Sequence, residues 1–315
     1  MTDAATPSID LGVGMALRCL ALDAAAAAAV DTLHKAGVDS VLLKGAGLAR
    51  RLGAERLYAD VDLLVAPAAF GRAQAALAAA GYRPHVGDEL PAEGDAWHQR
   101  SWYAPGPLSL TVDLHRGFAG VDDPEELWRA LRAGAEPMAL GGGTVLVPDT
   151  AGCALLAALH AASPGRFVKP AADLARALDV LPADAWPAAA RIAARCAATP
   201  AFAVAMWLLP AGVTVAAQLA LPVSGPPLRW LTAHRATPTA ITLARLTELP
   251  GWRRRLRHLA RLLLPSAGYL RHVDPRARTG PSGLLLAHAR RYGRHTRTLL
   301  RALRELRTAR RIGRG

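Results

Sequence analysis

Strands that alternate with helices as far as about residue 148, followed by helices alone, predict an α+β chain whose second half is all-helical. Three observations carry this. Residues 41–43 and 60–65 are short apolar runs bounded by turn-forming residues. Residues 111–115 alternate polar and apolar side chains, the period of a half-buried strand. After Pro148 the apolar positions recur only at helical spacing, which predicts two domains, 1–148 and 149–315. A chain of 315 residues is long enough to give each its own core.

In chain order, an alanine run favours a helix over 11–36, and Gly37 sits where a C-cap is expected. The strand at 41–43 ends in Lys44-Gly45-Ala46-Gly47, and 48–52 resumes helical spacing. The strand at 60–65 is followed by a helix over 67–80, then by a loop rich in Gly, Pro and acids. Residues 101–103 and 108–114 predict a hairpin around Pro105-Gly106-Pro107. A short helix covers 125–133, and Gly141-Gly142-Gly143 within 138–147 predicts a second hairpin. No internal repeat of fixed period is present.

The chemistry concentrates in the first half. Side chains two apart on a strand project to the same face, so Asp60 and Asp62 point together while Val61 and Leu63 turn to the core. Paired carboxylates in an apolar strand repel each other and cost several kcal/mol to desolvate, so they need a metal or a basic partner unless they sit at a solvated strand end. Asp113 shares a face with Thr111 and His115 and can complete a triad with Asp60 and Asp62. Three carboxylates from two strands suit the oxygen preference of magnesium. The turn Lys44-Gly45-Ala46 lies between a strand and a helix start, where backbone N–H groups can face phosphate. Arg56 either pairs with a carboxylate or touches a phosphate. His115 is either an accessory to Asp113 or a structural histidine, and packing explains His160 and Asp173 as well as chemistry does.

Lys44-Gly45, Arg56, Asp60 to Val65 and Val112-Asp113-Leu114-His115 together resemble the uncharacterised nucleotidyltransferase family of the polymerase-beta-like superfamily. The resemblance covers about residues 15 to 200. It implies a small mixed sheet with flanking helices that binds a nucleoside triphosphate with Mg2+ and moves a nucleoside monophosphate to an acceptor hydroxyl. By position, Asp60, Asp62 and Asp113 would be catalytic metal ligands, with Asp113 also helping to deprotonate the acceptor. Lys44, Gly45, Ala46 and Arg56 would meet the triphosphate, ATP or another. The chain departs from the superfamily in having Lys44-Gly45-Ala46 where Gly-Ser is usual, which removes a serine contact to phosphate. Some relatives accompany the biosynthesis of lasso peptides, which implies a peptide as one possible acceptor beside protein, small molecule and RNA.

Charge divides unevenly. Residues 1–228 hold 17 Lys plus Arg against 22 Asp plus Glu, whereas 229–315 hold 21 Arg against 3 acids. Many of those arginines fall among leucines at helical spacing, so the C-terminus could take an acidic partner, RNA or an anionic surface. Cys19, Cys153 and Cys196 lack paired spacing, so neither a zinc site nor a disulfide framework is indicated, which fits the cytoplasm. The start of the chain lacks a signal-peptide pattern. The uncharged stretch 197–228 is divided by Pro200, Pro210 and Pro222 into pieces below the roughly twenty residues a bilayer span needs, so no transmembrane segment is expected. Two further readings stand beside the enzyme: a non-catalytic nucleotide sensor or scaffold, and an RNA or anionic-surface binder acting through the arginine-rich end.

Overall fold

The computed structural model describes residues 11–53, 58–85, 98–163, 169–222, 227–248, 251–264, 267, 270–271 and 274–312. The chain is α+β, and it divides into two units.

The first unit opens with α1 (Leu11–Lys35), whose alanine run costs little side-chain entropy in a helix. Gly37, at φ 67°, ends it by donating from its N–H to the His34 carbonyl. There follow β1 (Ser40–Leu42), α2 (Ala46–Leu52), β2 (Asp60–Val65), α3 (Phe70–Ala79), β3 (Arg83–Pro84), β4 (Gln99–Tyr103) and β5 (Thr111–His115). The sheet order is β1-β2-β5-β4-β3. Only β2 and β5 run parallel, so the sheet is mixed. The turn through Pro105 and Gly106 makes β4 and β5 the expected hairpin, with Trp102 opposite Val112.

One face of this sheet is the core. Leu42, Val61, Leu63, Val65, Trp102, Val112 and Leu114 are buried there with Leu22, Ala26, Ala29 and Leu33 of α1 and with Ala73 and Leu77 of α3. The polar members of β2 and β5 therefore turn to the other face. After α4 (Pro124–Ala133), the hairpin of β6 (Glu136–Leu140) and β7 (Gly143–Val147) reaches back to α1. Gly141 and Gly142 both have positive φ, as a tight two-residue turn requires. A Cβ on Gly141 would also lie 2.3 Å from the Asp23 carbonyl oxygen.

The second unit, from Thr150 on and including Gly117–Leu127, is helical. It contains α5 (Thr150–Ala162), α6 (Lys169–Val180), α7 (Ala185–Arg195), α8 (Thr199–Met206), α9 (Pro210–Gln218), α10 (Pro227–Ala233), α11 (Pro238–Glu248), α12 (Trp252–Leu263) and α13 (Pro281–Ile312). The uncharged stretch falls into α8 and α9, each begun by a proline in its first turn. Among the described residues no helix is long and apolar enough to cross a membrane. Leu231, Ala240 and Ala244 pack on Ala302, Leu306 and Ala309 of α13. Glu305 on α13 fastens the start of α11, because one carboxylate oxygen accepts from the Thr237 backbone N–H at 2.7 Å and its hydroxyl at 2.8 Å.

Candidate functional site

Side-chain alternation and one strand register build the site. In the parallel pair, Asp60 lies opposite Thr111, Asp62 opposite Asp113 and Leu64 opposite His115. With Val61, Leu63, Val112 and Leu114 committed to the core, Asp60, Asp62, Thr111, Asp113 and His115 share the outer face. The hairpin strand adds Gln99 and Ser101, opposite His115 and Asp113.

Asp62, Asp113 and His115 are all buried, at 3%, 8% and 1% exposure. Lys44, between β1 and α2, donates from Nζ to Asp62 Oδ1 at 3.0 Å, and His115 Nε2 lies 2.9 Å from the same oxygen. On the other carboxylate, Gln99 Nε2 donates to Asp113 Oδ2 at 3.2 Å. Asp113 Oδ1 is buried and meets no hydrogen-bond partner among the described residues. A buried acceptor in that state costs about 1–3 kcal/mol.

The surroundings push the two carboxylates in opposite directions. Burial alone would raise Asp62, but the Lys44 ammonium and then His115 outweigh it and hold the carboxyl well below the usual range. Asp62 is therefore ionised and can only accept, which assigns the hydrogen to His115 Nε2. Burial raises Asp113; the Ser101 hydroxyl opposes this, the Asp62 charge adds to it, and the net shift is upward.

The residues singled out in the sequence do not all come together. Asp62 and Asp113 come together, joined by His115, and their ligating atoms all lie within 4.8 Å of one another. Asp60 opens β2, half-buried, on the same face but outside that group. Lys44 pairs with Asp62, Gly45 takes φ 68°, ψ −130°, and Ala46 begins α2. A Cβ on the next residue, Gly47, would come 2.8 Å from Val147 Cγ1, so the turn is held close to β7. Arg56 lies outside the described residues. His160 and Asp173 belong to the second unit. Sequence reasoning did not find the Lys44–Asp62 pair or the Gln99 contact, and no local signal marks either. For His115 the signal was present, since its face alternates with Asp113, but its position beside Asp62 depends on the β2–β5 register.

Two carboxylate oxygens and an imidazole nitrogen form a donor set compatible with a divalent cation. The orphaned Asp113 Oδ1 fits that use, because a cation would satisfy it. Lys44 already supplies one positive charge to Asp62. Residues 13–211 match the family described as "uncharacterised nucleotidyltransferase". No curated protein matches the chain.

Proposed function

The chain belongs to the uncharacterised nucleotidyltransferase family, and from that membership we propose that it transfers a nucleoside monophosphate from a nucleoside triphosphate to an acceptor hydroxyl with Mg2+. The observation that carries this reading is the in-register Asp62 and Asp113 pair with His115 beside it and an unsatisfied oxygen on Asp113.

Asp62 and Asp113 would hold the cation, with His115 beside them and Asp60 a further carboxylate on that face. When bound, the cation supplies positive charge against the triphosphate and the developing pyrophosphate. Asp62, kept ionised, is a permanent acceptor. Asp113, with its raised affinity for protons, is suited to take the proton that the acceptor hydroxyl gives up as its oxygen attacks the α-phosphorus. Lys44, Gly45 and Ala46, with Arg56 next in sequence, would contact the phosphates: Lys44 as a point charge, Gly45 by leaving the backbone open to close approach. The acceptor is a hydroxyl-bearing molecule, with a peptide, protein, small molecule or RNA as its candidates.

A second reading, a nucleotide sensor without turnover, draws on two observations: Lys44 neutralises Asp62, and no serine stands in the turn. The two readings separate when wild type, Asp62→Asn and Asp113→Asn are incubated with Mg2+, α-phosphate-labelled nucleoside triphosphates and cell extract. Label transfer by wild type and by neither variant is expected. Nucleotide binding without aspartate-dependent transfer would replace the enzyme with the sensor.

A further inference from the structure

A second surface, unrelated to the carboxylate face, carries its own chemistry. Helix α12 reads Trp-Arg-Arg-Arg-Leu-Arg-His-Leu-Ala-Arg-Leu-Leu, with five arginines, one histidine and no acid. Residues on a helix advance by about 100° each, so positions 252, 256, 259 and 263 form one row. Positions 253 and 255 flank that row on its two sides, and 254, 257 and 261 fall across the axis from it. A helix of this type in a soluble domain normally turns such a row inward. Here the row is open: Trp252 is 68% exposed, Leu256 57%, Leu259 36% and Leu263 46%. The neighbouring Leu264 is 75% exposed.

The exposed lane continues onto α13. Leu285, Tyr292, Leu299 and Leu303 are spaced by seven, seven and four residues, hence on one side of that helix, and all four are exposed. The Tyr292 hydroxyl donates to the Leu263 carbonyl, which brings the end of α12 against this row. The basic flank also continues, since α13 carries Arg290, Arg291, Arg294, Arg297, Arg301 and Arg304 with Glu305 as its sole acid.

We propose that α12, with the adjoining row of α13, docks on an anionic lipid bilayer, Trp252 and the leucines entering the interface while the arginines meet the lipid phosphates. The charge is complementary, and the apolar row with a tryptophan at its end matches helices that lie in the interfacial plane. At about 18 Å the helix is too short to cross the roughly 30 Å hydrocarbon core, so it lies on the surface. Nucleic acid would explain the arginines but gives the exposed leucines no role, because a phosphate backbone offers them no apolar partner. A lipid surface accounts for both. Each arginine near such a surface contributes roughly fivefold to partitioning.

The test mixes full-length protein with vesicles of phosphatidylcholine alone or with phosphatidylglycerol and measures the co-sedimenting fraction. Binding only to the phosphatidylglycerol vesicles, weakened by salt, is expected. Leu256→Ala/Leu259→Ala/Leu263→Ala should bind at least roughly tenfold more weakly with an unchanged melting curve, since these side chains leave an exposed row rather than a core. A second variant, Trp252→Phe, should abolish the part of the tryptophan emission change that vesicles induce. Failure to bind phosphatidylglycerol vesicles overturns the proposal, as does binding that the leucine variant retains in full. Tight binding of single-stranded RNA by both proteins with no vesicle binding would assign the surface to nucleic acid instead. Self-association lost in the leucine variant, again without vesicle binding, would assign it to a second copy of the chain.

Discussion

Lys44 Nζ and Asp62 Oδ1, 18 residues apart in sequence, sit 3.0 Å apart and largely out of water, so the fold supplies its own cation to the carboxylate at the centre of the site. Removing one partner of a buried pair leaves the other charge uncompensated. Lys44→Met should therefore lower stability by about 3 kcal/mol in urea unfolding. Mg2+ should restore part of that loss, raising the melting temperature of the variant more than that of wild type. Equal shifts in both proteins would mean that Lys44 and the metal do not share Asp62.

Asp113 should make the response to metal depend on pH. Its folded-state pKa is raised, so the native protein favours the protonated acid. Above the unfolded value of about 3.9 the folded state bears the cost of ionising this group, and that cost grows until pH passes the folded pKa. Asp113→Asn should accordingly be more stable than wild type at neutral pH without metal, with the advantage vanishing as pH falls toward about 4. The Mg2+-induced rise in wild-type melting temperature should increase with pH over the same interval, because a cation binds the ionised form.

The turn into α2 and the first residues of that helix tolerate little change. Gly47→Ala sets a methyl against Val147 and should cost about 1–3 kcal/mol. Gly45→Ala meets only ordinary contacts with Tyr58, but its φ of 68° disfavours any side chain, so a loss of about 1–2 kcal/mol is expected. Urea unfolding measures both. Undiminished label transfer in a folded Gly45→Ala protein would remove that residue from the phosphate contacts.

Thiol accessibility checks the helical unit. Burial pushes the Cys196 thiol up to about 11, and Cys153 is also buried, whereas Cys19 is half-buried. Near pH 8 an aromatic disulfide reagent should titrate Cys19 in native protein, and all three cysteines only in denaturant. Rapid native reaction of Cys196 would show that the α7 end opens readily, since its sulfur lies in the packed interior of that unit.

Local pattern made the individual elements of the sheet legible. Period-two alternation marked β2 and β5, and glycine pairs marked the β6–β7 turn. The alanine run and Gly37 bounded α1 within a residue. At 67–80 the expected helix starts with a short 3-10 turn over Pro67–Ala69 before α3, because the proline-led first turn tightens. What local pattern could not supply was which strands are neighbours. The parallel β2–β5 contact sets Asp62 opposite Asp113 and carries His115 to the same carboxylate; a strand's own residues hold no record of that register. Lys44 shows the same limit. Its charge is obvious in the sequence, but its partner is settled only when β1 and β2 lie side by side.

Glu305 holds the start of α11 by two hydrogen bonds, and the helix that bears it also supplies the leucine-poor, alanine-rich side of a core. The helix that carries the most arginines is thus also masonry. Trimming it to lower the charge would strip Ala302, Leu306 and Ala309 from α10 and α11 and uncover Leu231, so a shortened protein would lose binding and integrity together. Only side-by-side replacements on the outer surface of α13 can separate what the charge does from what the helix supports.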